Sequence, residues 1–314
     1  MAILRHLPRS VDRGSEAAQG EFVVVDPGES ATVDIVFIPT FGESWLRGWT
    51  TQNNAGDYVF WPEQFLKTDI PTARLLVFAY DQSTGMGDYA AHADHLCEKL
   101  KELRCGGSAS RRPVVLIAHS LGGIVAAQML LRGDASVTEH VQGLAFFGTP
   151  FQGSRGRSLS EIIDCMVDFH GIGNNGLTNA AEVLEELASA LSTTHTDVRL
   201  ATFCELGQST KVIVDKEAAK VRDHVAVSIP GNHGAICRFK GREGLYEVVV
   251  EELRGLVEVE DTDTTLMDGN GEGGTGEGLT IPRRHVAGGL HQNNMGLIHY
   301  GAQTGTNHFN WRPL

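Results

Sequence analysis

The sequence predicts a doubly wound α/β domain, a mostly parallel sheet with helices on both faces. Three observations predict it. Seven short runs, at 22–25, 33–38, 74–80, 114–118, 141–147, 198–204 and 224–229, are apolar and rich in β-branched residues. They are near-continuous rather than alternating, which suits parallel strands covered on both sides. The segments between them carry apolar residues at helical spacing, and one strand runs through a tight turn straight into an apolar helix. Strand and helix alternating over about 240 residues is the pattern of a doubly wound sheet.

Each element follows from local pattern. Strands 22–25 and 33–38 have no helix between them, which predicts an antiparallel edge pair. After 74–80, Tyr89, Ala93, Leu96, Leu100 and Leu103 recur at steps of four, three, four and three, one face of a helix. An insertion at about 153–197 holds amphipathic helices. Its apolar face, Ile162, Ile163, Met166, Val167 and Phe169, either greets a substrate or packs on the sheet. Val183, Leu184, Leu187, Ala188 and Leu191 form a second stripe there, and Leu245, Val249, Leu253 and Leu256 form a last one.

Composition bounds the function. With 314 residues, 41 % of them hydrophobic, the chain has material for a sizeable core. A net charge of −13 repels nucleic-acid phosphate, so no nucleic-acid partner is expected. No apolar run approaches the length of a transmembrane helix, and the opening Met1-Ala2-Ile3-Leu4 meets Arg5 at once, unlike a signal peptide. Membrane contact is therefore expected to be peripheral at most. Five cysteines, at 97, 105, 165, 204 and 237, form no Cys-x-x-Cys pair. An odd, scattered set predicts free thiols in a reducing, cytoplasmic setting and no zinc site.

The composition changes near residue 258. A domain-sized part, 1–258, is followed by a flexible linker, 259–284, with Gly269, Gly271, Gly273, Gly274, Gly276 and Gly278 among acidic residues. Residues 285–314 then hold a single charged side chain, Arg312. There Gln292, Asn293, Asn294, Gln303, Asn307 and Asn310 alternate with Leu290, Leu297, Ile298, Tyr300, Phe309 and Trp311, a composition that suits stacked amide ladders.

The chemistry is concentrated at Ala118-His119-Ser120-Leu121-Gly122. A serine hydroxyl becomes a nucleophile when a sharp strand-to-helix turn exposes it beside a base. The helix that follows then aims its first N–H groups at a developing oxyanion. Small residues around Ser120 permit that turn, and His119 is assigned a structural role. The base must follow the last strand: His233, in the turn after 224–229 and 113 residues beyond Ser120, fits best. The acid that orients it belongs just past the penultimate strand, where Glu205 and Asp215 compete. Asp215, ahead of Lys216-Glu217-Ala218, also fits a helix cap.

These residues resemble the α/β-hydrolase fold over roughly 33–256. The resemblance is nearest to the serine-active-site-containing lipase/esterase proteins, which include hydrolase domains of fungal cell-death proteins. The stretches VDIVFIPTFG (33–42), WPEQFL (61–66), ARLLVFAYD (73–81), GLAFFGTPFQGS (143–154) and GNHGAIC (231–237) carry it beside the turn at Ser120. It implies an ester or lipid substrate, an acyl-enzyme and no metal or organic cofactor. It further implies Glu205 as the acid, and the Phe41 and Leu121 amides as an oxyanion hole. The chain departs from the family at Ala118, where glycine is usual, and at Pro39-Thr40, where His-Gly is usual. The second departure supports another reading, a hydrolase fold that binds and signals without turnover. Residues 285–314 resemble the sigma-type amyloid motif of fungal SesB-like effectors. That implies self-assembly through the tail and a nucleotide-binding receptor with a matching motif.

Overall fold

Val33, Ile35, Val36, Phe37 and Ile38 are too apolar and too branched to rest anywhere but in a sheet interior, and they form strand β3 (Val33–Ile38), buried along its whole length. Successive side chains point to opposite faces, so Ile35 and Phe37 enter one core while Val36 and Ile38 enter the other. That is the origin of the unbroken apolar run: each face has its own helical cover. Every large side chain so buried contributes about 1.5–3 kcal/mol.

The computed structural model describes residues 2–3, 20–26, 30–81, 88–172, 177, 179–207 and 212–258. The predicted linker and the terminal segment 285–314 lie outside them.

The strands are β1 (Ala2–Ile3), β2 (Glu21–Asp26), β3, β4 (Thr50–Gln52), β5 (Tyr58–Phe60), β6 (Ala73–Ala79), β7 (Val114–His119), β8 (Val141–Phe147), β9 (Arg199–Leu206) and β10 (Val227–Pro230). Among the described residues, eight of them make one sheet in the order β1-β2-β6-β3-β7-β8-β9-β10, and β4 and β5 form a separate hairpin. Every neighbouring pair in the large sheet is parallel except β2 with β6. The doubly wound sheet is thus as expected, with one correction. The antiparallel partner of β2 is β6, not β3, which lies between β6 and β7.

After the short α1 (Lys67–Asp69), helices α2 (Tyr89–Leu103), α3 (Gly122–Arg132), α5 (Leu159–His170) and α6 (Ala180–Thr193) cover one face, with the one-turn α4 (Ala135–Thr138) between α3 and β8 in the chain. On the other face α7 (Leu245–Val257) packs with Trp45, Trp49 and Trp61. The covering helices begin and end where their chemistry dictates. Asp88 caps α2 by accepting from the Ala91 amide at 3.0 Å. Ser158 and Glu161 cap α5 reciprocally: the Glu161 amide donates to Ser158 Oγ at 3.2 Å, and the Ser158 amide to Glu161 Oε2 at 2.6 Å. Gly171, at φ 66°, stops α5 with a left-handed residue that glycine adopts at little cost. His170 is therefore fixed as the last residue of that helix.

At the opposite end of β3, Asp34 is fully buried among three guanidiniums. Arg74 holds it with two bonds of 2.8 Å, Arg104 with one of 2.8 Å and Arg112 with one of 2.9 Å. The cluster ties the starts of β3, β6 and β7 together. Asp34→Ala leaves those cations without their counter-charge, and we expect a loss of about 3–5 kcal/mol. Urea unfolding measures it, and a loss under about 1 kcal/mol would mean that water replaces the carboxylate.

Candidate active site

Strand β7 ends on His119, and α3 starts at Gly122, so Ser120 occupies the bend between them. Its φ of 55° is left-handed, a conformation that costs a non-glycine residue about 1–3 kcal/mol. Surrounding bonds hold it there. The Ser120 amide donates to the Phe147 carbonyl at 2.8 Å, and Thr149 Oγ1 donates to the Ser120 carbonyl at 3.0 Å. Gly122 is demanded by a close approach: a Cβ there would overlap the carbonyl oxygens of Ile38 and Pro39. Its absence lets the loop after β3 press against the first turn of α3.

His233 follows β10 in a turn closed by the Ala235 amide on the Asn232 carbonyl, 2.9 Å. Its Nε2 lies 2.7 Å from Ser120 Oγ, and its Nδ1 lies 2.8 Å from Glu205 Oε1. Glu205, near the end of β9, also accepts from the Val214 amide at 3.0 Å and from the Ile213 amide at 3.2 Å. Its carboxylate is thereby aimed from two sides. An ionised carboxylate only accepts, so Nδ1 carries the proton and Nε2 is left as the acceptor of the serine hydroxyl. Asp215 is not part of this row. It accepts from the Glu217 and Ala218 amides at 3.1 and 3.0 Å and from Ser154 Oγ at 2.8 Å, and it pairs with Arg155. It caps the turn at 216–219, where the sequence context had allowed a helix cap.

His119 is buried behind the site and donates from Nε2 to the His233 carbonyl at 3.0 Å, so it braces the loop that carries the other imidazole. Burial pushes its pKa well below the ordinary value, which keeps it neutral.

Phe41 and Leu121 are both buried, on the two segments that Gly122 brings into contact. The Tyr80 hydroxyl donates to the Pro39 carbonyl at 2.8 Å, and burial pushes that phenol well above its usual range, so it remains a donor. The Phe41 ring packs on Tyr80 and His92, with centroids 6.3 and 6.1 Å away. Pro39 thus lacks an N–H of its own, yet its carbonyl is the anchor of the loop that presents Phe41.

One group was not singled out by sequence. His170 Nε2 lies 2.9 Å from Ser120 Oγ, so the serine touches two imidazoles. The signal was present. Leu159, Ile162, Ile163, Met166 and Val167 are the buried stripe of α5, and position 170 continues it at helical spacing. Those apolar residues pack into the core, the plainer of the two expectations for the insertion. Phe169 departs from the stripe: it is 44 % exposed, with its ring 5.3 Å from that of His233. Ser120 has no exposed surface. An open cavity of about 550 Å³ is lined by Glu205, Asp215 and Ser228, but not by Ser120 or His233.

No family model matches the chain. Human protein SERAC1 is 27 % identical over 216 residues, covering 62 % of this chain and 32 % of the human protein. The mouse protein of that name is 31 % identical over 108 residues, covering 30 % and 16 %. The chain thus spans a third or less of the length of these curated relatives. The mature lipase BlEst2 of Bacillus licheniformis superimposes with a TM-score of 0.52 at 16 % identity, covering 74 % of this chain and 99 % of that one. The chain has the α/β-hydrolase fold. In an α/β-hydrolase the carboxyl ends of the strands carry the reactive loops, and β3, β7, β9 and β10 here lead to Phe41, Ser120, Glu205 and His233 at that end. No described helix is long and apolar enough to cross a membrane.

Proposed function

We propose that this chain is a serine hydrolase that cleaves carboxylic esters, lipids among them, through an acyl-enzyme. One observation carries the reading: a continuous row from Ser120 Oγ to His233 Nε2, 2.7 Å, and from His233 Nδ1 to Glu205 Oε1, 2.8 Å. In this mechanism the Ser120 proton passes to His233 as Oγ attacks the acyl carbon. The amides of Phe41 and Leu121 receive the oxyanion. His233 then returns the proton to the departing alcohol and, in the second half, takes one from water. Glu205 keeps the imidazole in the tautomer that can do this and stabilises its charged form. Purified protein should be labelled by a fluorophosphonate and should hydrolyse short p-nitrophenyl esters. A chain inert to both would favour the reading that Pro39-Thr40 suggested, a hydrolase fold kept for binding.

The finer role rests on the terminal segment. We propose that 285–314 is an amyloid-forming signalling motif that assembles the chain and answers to a nucleotide-binding receptor, as in a fungal cell-death effector. Its near-absence of charge and its interleaved amide and aromatic side chains support this reading. A peptide of residues 285–314 should form thioflavin-positive, cross-β fibrils that seed the full chain; a peptide still monomeric after seeding would exclude it.

A further inference from the structure

The contact between Ser120 and His170 has a direction that can be deduced. A serine hydroxyl donates one hydrogen bond and accepts at its lone pairs. The proton of Oγ is committed to His233 Nε2, because Nδ1 of that ring keeps its proton for the Glu205 carboxylate. At 2.9 Å, His170 Nε2 therefore faces a lone pair and must itself carry a hydrogen. We propose that His170 is a further catalytic residue of the hydrolase site, a neutral imidazole whose Nε2–H donates to the nucleophilic oxygen.

This role rests on the serine-hydrolase reading and assigns it a second histidine with a different task. Negative charge grows on Oγ as its proton leaves for His233, and again when Oγ departs from the acyl group in deacylation. A fixed donor at 2.9 Å lowers the energy of both moments. His170 keeps its own proton throughout, so the proton balance of the reaction is unchanged: one proton leaves Oγ for His233 and one returns.

The environment separates the two imidazoles. Burial, with the nearby charge of His233 and Arg238 opposing a second cation, pushes His170 down to about 3. So weak a base stays neutral and does not take up the serine proton. His119, whose ring lies 6.1 Å from that of His170, is held neutral as well. The position of the donor is set by sequence: the Ser158–Glu161 cap registers α5, its apolar stripe seats the helix, and Gly171 ends it one residue past His170.

The test compares His170→Leu, which removes the donor, with His170→Gln, which keeps an amide N–H, in the full chain. We expect His170→Leu to lower kcat and the rate of fluorophosphonate labelling by about tenfold to a hundredfold with KM little changed. We expect His170→Gln to recover part of the loss. Imidazole NMR provides a readout independent of turnover: the Nε2–H proton of His170 should be visible and should shift upfield in Ser120→Ala. Unchanged or faster labelling of His170→Leu would make the contact a mere cover and overturn the role, as would a His170 ring protonated only at Nδ1. A wild-type chain that takes no label sinks the hydrolase reading itself, and this role with it. A labelled wild type with an equally reactive His170→Leu sinks this role alone.

Discussion

Ser120→Ala is expected to abolish fluorophosphonate labelling and to lower ester turnover by about 10⁴-fold or more. The size of the effect follows from what the hydroxyl does. In the proposed mechanism Oγ forms the covalent bond, and no other hydroxyl of the described residues is hydrogen-bonded to His233. The neighbouring hydroxyl of Thr149 is committed to the Ser120 carbonyl and points into the backbone of the turn. The variant should fold, because alanine is smaller and the turn is held by backbone bonds from Ser120 and Gly123 that do not involve the hydroxyl. Near-UV circular dichroism and Tm should stay close to the parent. Persistent turnover in this variant would remove Ser120 from the chemistry.

The second large effect is expected at Glu205. Glu205→Gln keeps the shape but removes the charge, so His233 loses both the partner that fixes its tautomer and the counter-charge for its imidazolium. A fall in kcat of about 10²–10⁴-fold is expected, with KM nearly unchanged. Asp215→Asn provides the contrast. Its carboxylate caps the amides of Glu217 and Ala218 and pairs with Arg155, so its loss should lower Tm while leaving kcat within about threefold. Equal kcat losses in the two variants, at matched stability, would reopen the assignment of the acid.

The local parts of this fold could be read from the sequence, and the long-range parts could not. The turn at Ser120 is spelled by neighbours: an apolar strand, two glycines and an apolar helix within the stretch Val114–Arg132. His233 follows once the strands are counted, but strand rank leaves Glu205 and Asp215 both open beside it, and only the folded chain brings Glu205 Oε1 to within 2.8 Å of His233 Nδ1. The partner of β2 did not follow. Its residues are apolar enough to be buried beside any strand, and the choice of β6 over β3 is made by contacts some fifty residues away in the chain. The strand β1 and the β4–β5 hairpin are too short to leave a pattern. His170 was hidden for another reason. A histidine on an apolar stripe reads as a core residue, and only the packing of α5 across the turn reveals which oxygen it meets.

The left-handed backbone at Ser120 has a consequence for how this protein can be improved. Glycine would relax that φ and, in a screen for heat resistance, would be rewarded at a position where the proposed chemistry needs a hydroxyl. Thermal tolerance and reactivity pull against each other most sharply at residue 120, so a search for sturdier variants has to be scored on turnover from its first round.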